Sequence, residues 1–152
     1  MNITIVAIGK IKAGPELDLF EHYSKRIPWK ITVKELDIKK QVSSEQRKAE
    51  EAALLLAACK DADHIIALDE HGSELSSVAF SAHLQKQKDT GARNIIFIIG
   101  GADGLHETVH KKANLLLSFG RITWPHMLMR GLLAEQIYRA CTIMNNHPYH
   151  RQ

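Results

Sequence analysis

Asn94-Ile95-Ile96-Phe97-Ile98-Ile99-Gly100-Gly101-Ala102-Asp103-Gly104 is the stretch on which the fold turns. Ile95 to Ile99 is an unbroken apolar run with no polar face. Such a strand has to be covered on both sides, as in a parallel sheet sandwiched by helices. Three glycines follow within five residues. A glycine-rich turn at the C-terminal end of a buried strand is where open α/β sheets hold ligands, because backbone can approach the ligand closely there. Ile99 stands where a dinucleotide fingerprint needs its first glycine, and no Gly-Lys-Ser/Thr follows, so neither that motif nor a P-loop is present. Two readings remain: a ligand turn, and a plain tight turn.

Outward from this centre, strands and helices alternate. Upstream, Ile3 to Ile8 is a β-rich run closed by Gly9, and Gly14-Pro15 opens an amphipathic helix to about Arg26, stopped by Pro28. Ile31 to Ile38 alternates like a half-buried strand. Ser43 and Gln46 form a capping box for a helix to about Lys60. His64 to Leu68 reads as a short buried strand closed by Asp69, Glu70 to Ser73 as a loop, and Ser76 to Lys88 as a helix with Gly91 at its C-terminal cap. Downstream, Leu105 to about Ala113 is expected to be helical and Leu115 to Phe119 a strand. The loop from Gly120 to His126 precedes a long helix, Met127 to about Asn146. No linker, repeat or low-complexity tract interrupts the pattern. It predicts one α/β domain over 1–152 with a mainly parallel sheet flanked by helices.

The 152 residues are enough for one buried core, and 45% apolar with 24% charged residues is an ordinary globular balance. No apolar run reaches the roughly 18 residues a membrane span needs, so no membrane role is expected. The alternating start carries no basic region or cleavage site, which argues against a secretory leader. Cys59 and Cys141 lie inside helical patterns without close partners, which makes a disulfide framework unlikely and the cytoplasm the expected compartment.

Charge is concentrated at one end. From Gly120 to Gln152 four arginines (Arg121, Arg130, Arg139, Arg151) face one acid, Glu135, a net +3 equal to that of the whole chain. A basic end on a neutral body suggests an anionic partner. The last helix is apolar over more than the single stripe that one sheet face requires: either it is deeply buried, or it packs on its own core and on a second subunit, most simply in a two-fold dimer. Asp69, His71 and Ser73 share one short loop, whereas catalytic triads are assembled from distant segments. His147 and His150 lack the further ligands of a tetrahedral metal site, so no metal is expected. Glu135 and Arg139 are spaced as an ordinary helical ion pair. Tyr149, between Pro148 and His150, offers a surface on which a base could stack.

Five blocks in order carry a resemblance over essentially the whole chain. They are Val6-Ala7-Ile8-Gly9-Lys10, Ile99 to Leu105, Thr123-Trp124-Pro125-His126, Glu135-Gln136-Ile137-Tyr138-Arg139-Ala140, and Asn146-His147-Pro148-Tyr149-His150. Together they resemble the RlmH-type branch of the SPOUT methyltransferases. The resemblance implies a SPOUT α/β-knot, with a C-terminal trefoil knot that generic topology rules would not suggest. It also implies a homodimer, S-adenosylmethionine as cofactor, and methylation of N3 of a pseudouridine in helix 69 of bacterial 23S rRNA. Carried over, the cofactor residues are Leu68, Gly100, Gly101, Gly104, Gly120, Arg121, Ile122, Thr123, Trp124 and Pro125. Two positions depart from the family pattern: Gly120 where serine is usual, and Gly131 where a bulkier residue is common.

Methyl transfer from a sulfonium needs alignment of the nucleophile and removal of the imide proton, without a metal. His126, Arg139, Tyr149 and His150 are the residues expected near the target base, with arginine stabilising the developing anion. A small, mildly basic protein has little surface to read rRNA alone, so the assembled ribosome is the expected partner. The alternatives are a non-catalytic ribosome-binding factor of the same fold, which the glycines and Pro125 oppose, and a tRNA-directed SPOUT enzyme. A small-molecule methyltransferase would leave the basic tail without a purpose.

Overall fold

The computed structural model describes residues 1–151. In chain order the elements are β1 (Asn2–Ile8), α1 (Pro15–Ser24), β2 (Lys30–Leu36), α2 (Ser44–Ala57), β3 (His64–Glu74), α3 (Ser77–Asp89), β4 (Asn94–Ile99), α4 (Glu107–Lys112), β5 (Leu115–Ser118) and α5 (His126–Met144). The five strands form one sheet in the order β2-β1-β4-β3-β5, and every pairing is parallel. Apolar β4 is therefore central, as its composition requires.

Side-chain alternation divides the core in two. Ile3, Ile5, Ala7, Ile95, Phe97 and Ile99 share a cluster with Leu133 and Ile137 of α5 and Phe80 and Leu84 of α3. Val6, Ile8, Ile96 and Ile98 face the other way, toward Ala52 and Leu55 of α2 and Val109 of α4. On the first face α5 is wedged between α1 and α3. An ideal Cβ on Gly131 would lie 2.7 Å from Leu19 Cδ2, so glycine lets α1 and α5 approach. On the other flank Ser81 Oγ donates to the Ala140 carbonyl at 3.0 Å and Ser77 Oγ to Gln136 at 2.8 Å. These contacts occupy most of α5's apolar circumference within one chain; Leu128, Leu132 and Ile143 keep partial exposure.

Two element boundaries depart from the sequence pattern for physical reasons. β3 does not stop at Leu68: after an irregularity between Leu68 and Ser73 it pairs again with β5, Ser73 opposite Leu117 and Glu74 opposite Ser118. Gly72 permits this, since a Cβ there would meet the Leu116 carbonyl at 2.6 Å. α4 starts at Glu107, two residues later than its periodicity suggested, because buried Leu105 is drawn beneath Gly100. His106 then caps the helix, accepting from the Thr108 amide through Nδ1 at 3.2 Å. Histidine is not among the usual capping residues.

Candidate active site

The C-terminal ends of β3, β4 and β5 lie side by side, with Leu68 opposite both Ile99 and Leu117. The loops leaving them enclose an open cavity of about 640 Å³, within the size range of small-molecule sites. Leu68, Gly100, Gly101, Gly104, Gly120, Thr123, Trp124 and Pro125 all line it, as does His126. Arg121 instead borders a neighbouring hollow with Glu70, His71 and Glu74, and Ile122 is 67% exposed.

Packing beneath the turn explains its glycines. A Cβ on Gly100 would come within 2.8 Å of Leu105 Cδ2, and one on Gly101 within 3.1 Å of Ile8 Cγ2. Gly104 and Gly120 adopt φ of +80° and +98°, which L side chains rarely do. The Gly104 amide closes the turn on the Gly101 carbonyl at 3.1 Å. Trp124 is fixed by its indole N–H, which donates to the Phe119 carbonyl at 3.2 Å.

Asp69 is part of the same wall, with a partner the sequence did not reveal. Its Oδ2 accepts from His110 Nε2 at 2.8 Å and its Oδ1 from the His71 amide at 2.8 Å. Burial works to raise the carboxyl's pKa, but those hydrogen bonds outweigh it and hold Asp69 below its ordinary value. The His71 side chain is 85% exposed with Nδ1 3.4 Å from Asp69 Oδ1, and no hydrogen bond joins it to Ser73 among the described residues, so the three form no triad. His110 was hidden because α4 brings it in from 41 residues away.

His126 stands at the first turn of α5, beside Gly9 at the end of β1. Burial, and then the charge of Arg130, push its pKa below the ordinary histidine value. Its surroundings therefore favour the neutral imidazole. Arg139 is elsewhere: 13 residues along the same helix corresponds to about 20 Å at the α-helical rise. There Arg139 Nε donates to Glu135 at 2.9 Å, a bond that raises the guanidinium's pKa, and its charge lies 4.8 Å from the Tyr149 ring centroid. The Tyr149 hydroxyl donates to Glu135 Oε1 at 2.9 Å, and His150 Nδ1 is 3.4 Å from Arg139 Nη1. Burial and hydrogen bonds to Tyr23 and Glu135 raise the Tyr149 phenol's pKa.

The tail returns onto α5 because Asn146 takes a left-handed conformation, φ 52°, and the His147 amide caps the Thr142 carbonyl at 2.9 Å. Tyr23, Arg26 and Tyr138, which the sequence did not single out, complete this cluster: Arg26 donates to the Tyr138 hydroxyl at 2.7 Å and stacks over its ring at 4.2 Å. One chain thus brings Arg139, Tyr149 and His150 together and keeps His126 apart. Among the described residues no three His, Cys, Asp or Glu side chains gather as a metal site, and no helix is long and apolar enough to cross a membrane.

A backbone-lined cavity at the ends of three parallel strands is where open α/β proteins place small-molecule ligands. The family to which it corresponds is clear from sequence. Residues 1–150 match the family described as "Predicted SPOUT methyltransferase", and the chain belongs to that family. It is 50% identical over 151 residues to the ribosomal RNA large subunit methyltransferase H of Rhodospirillum centenum, and 49% identical to that of Paramagnetospirillum magneticum, each alignment covering 99% of both chains. Its fold is shared with a methylase-family protein of Neisseria gonorrhoeae (TM-score 0.60, 13% identity, 99% of this chain and 86% of that one). It is also shared with a Legionella pneumophila methyltransferase solved with bound S-adenosylmethionine (TM-score 0.51, 12% identity, 92% and 66%).

Proposed function

We propose that this protein transfers the methyl group of S-adenosylmethionine to N3 of a pseudouridine in helix 69 of 23S rRNA. It would act in the cytoplasm as a homodimer on the assembled ribosome. The observation that carries the reading is the glycine-floored cavity with Leu68, Gly100, Gly101, Gly120, Thr123, Trp124 and Pro125 around it. The name shared by its relatives and the basic C-terminal end support the substrate.

The cavity suits this cofactor. Exposed backbone at Gly100, Gly101 and Gly104 offers peptide groups to an adenine edge, while Leu68, Ile99, Leu117 and Phe119 supply apolar walls. Asp69, Glu70 and Asp103 suit a ligand that carries positive charge. When bound, S-adenosylmethionine supplies an already activated methyl group. Arg121 and Ile122 lie on the outer side of the same segment and do not line the cavity.

The work left to the protein is to hold the base and accept a proton. Neutral His126 at the cavity mouth is an acceptor for the imide proton, and Arg139 stabilises the anion that forms. Tyr149 and His150 would orient the base. Because His126 and Arg139 are about 20 Å apart along one helix, the arginine and tail that complete a site come from the second subunit. A two-fold pairing of antiparallel α5 helices would bring each tail to the partner's cavity.

The test is transfer of labelled methyl to undermodified ribosomes, naked rRNA and tRNA in parallel. Label confined to a pseudouridine of the large-subunit RNA in intact ribosomes is the expected outcome. Equal labelling of naked rRNA would remove the ribosome requirement, and label in tRNA would move the substrate. Failure to bind S-adenosylmethionine at all would leave a non-catalytic ribosome-binding factor.

A further inference from the structure

Behind the glycine turn, on the side away from the cavity, lies a carboxyl group that the proposed chemistry does not use. Glu51 sits in the middle of α2 and is only 5% exposed. Both of its oxygens lie 3.2 Å from where a Cβ on Gly101 would be, beside Ile8 Cγ2 at 3.1 Å. The turn therefore rests on Glu51 and Ile8. Ile8 belongs to the apolar cluster that α2 enters through Ala52 and Leu55.

No ion pair reaches this carboxyl among the described residues. The nearest basic group on its own helix, Arg47, donates instead to the carbonyls of Ile38 and Lys40, at 3.2 and 3.0 Å. Lys48, also on α2, lines the cavity. The charged groups that act on Glu51 from other elements are acidic, Asp103 on the turn itself and Asp37 after β2. An unpaired carboxylate in such a place is costly, and keeping a proton is the inexpensive alternative. Burial, then Asp103, accordingly raise the pKa of Glu51, against a lowering by Arg47.

We propose that Glu51 is a positioning residue of the cofactor turn, its side chain packed directly under Gly101. The inference rests on the S-adenosylmethionine reading of the cavity. Its consequence is a pH-dependent floor. With its proton, Glu51 fills the space under Gly101 without opposing Asp103. When the proton leaves, two like charges face each other across the turn, and the backbone that meets the cofactor is displaced. A folded-state pKa raised above the ordinary carboxylate value means that this support is present at low pH and lost as pH rises through the raised value.

The experiment is calorimetric binding of S-adenosylmethionine to the full-length protein, Glu51→Gln and Glu51→Ala between pH 5 and pH 8. The free cofactor's own ammonium titrates in this range, so the difference between variants is the readout. Glu51→Gln mimics the neutral acid. It is expected to match the parent within about twofold at pH 5 and to lose less affinity than the parent by pH 8, whereas Glu51→Ala binds about tenfold more weakly throughout. A shared pH profile for parent and Glu51→Gln, or parent-like binding by Glu51→Ala, overturns the proposal. If Glu51→Ala does not fold, the side-chain carboxyl ¹³C shift of Glu51 in the parent decides: a midpoint in the ordinary carboxylate range overturns it, and a higher one supports it. Absence of binding by the parent would refute the cofactor reading itself, and this inference with it.

Discussion

Arg130 and Glu35, ninety-five residues apart in the chain, form an ion pair in which the arginine side chain is 2% exposed. The second Nη of Arg130 donates to the carbonyls of Gly9 at 2.7 Å and Ile8 at 3.1 Å, while its Nε has no partner. One buried cation thus ties the first turns of α5 to the end of β1 and to β2, next to His126. Glu35 also accepts from the Ile11 amide at 2.8 Å.

Removing one member of such a pair strands the other. Arg130→Met leaves Glu35 and two carbonyls without their donor and is expected to lower stability by about 3–5 kcal/mol. Urea denaturation measures this, and a loss below about 1 kcal/mol would mean the pair is not what anchors α5.

Gly131 makes a separate prediction. Its missing side chain is where Leu19 packs, so Gly131→Leu should cost about 1–3 kcal/mol through overpacking. Adding Leu19→Ala should recover part of that loss. A double-mutant cycle showing simple additivity would contradict direct contact between the two positions.

His64 and His83 face each other with Nε2 atoms 2.9 Å apart. Burial lowers the pKa of both, with His83 adding to the effect on His64 and Lys86 on His83. Each therefore binds its proton more readily in the unfolded chain. Their contribution is intact above the ordinary value of 6.5 and is lost as pH falls from there through the depressed folded values. The melting temperature is expected to drop between pH 7 and pH 5, and His83→Gln to flatten that drop. An unchanged slope would assign the acid sensitivity to other groups.

His126 and Arg139 supply a test of subunit geometry. His126→Asn and Arg139→Ala should each abolish methyl transfer while leaving cofactor binding nearly intact. Dimers reassembled from an equal mixture should recover about a quarter of the parental activity, because half the dimers are mixed and each of these holds one intact site. No recovery would place both residues of a site in the same chain.

His126 also sets an acid limit. Since its pKa is depressed by burial and by Arg130, transfer should persist below the ordinary histidine range and fall only at lower pH. A rate that already halves near pH 6.5, the unperturbed value, would point to a different proton acceptor.

Much of this architecture was legible from local pattern. β4 follows the stretch from Asn94 to Ile99 to the residue, and Ser43 caps its helix through its hydroxyl as its sequence suggests. What escaped were features that depend on a distant neighbour. The second half of β3 is polar and reads as a loop, yet β5 gives it hydrogen bonds to close. Leu105 looks like a first helical residue, yet the space under Gly100 claims it. Asp69 finds His110 only because α4 folds over the end of β3.

Alternation of apolar residues along the chain was sufficient to decide the class of fold, since burial on two faces or one is written in side-chain periodicity. The glycines at 100, 101 and 104 likewise marked the turn after β4, since a glycine-rich turn behind a buried strand is a local pattern. Which side chains stand together was decided by tertiary structure alone. The unpaired Glu51 beneath Gly101, the Asp69–His110 wall and the separation of His126 from Arg139 depend on how elements far apart in sequence are packed. No local pattern records those distances, because their energies arise only when the elements meet.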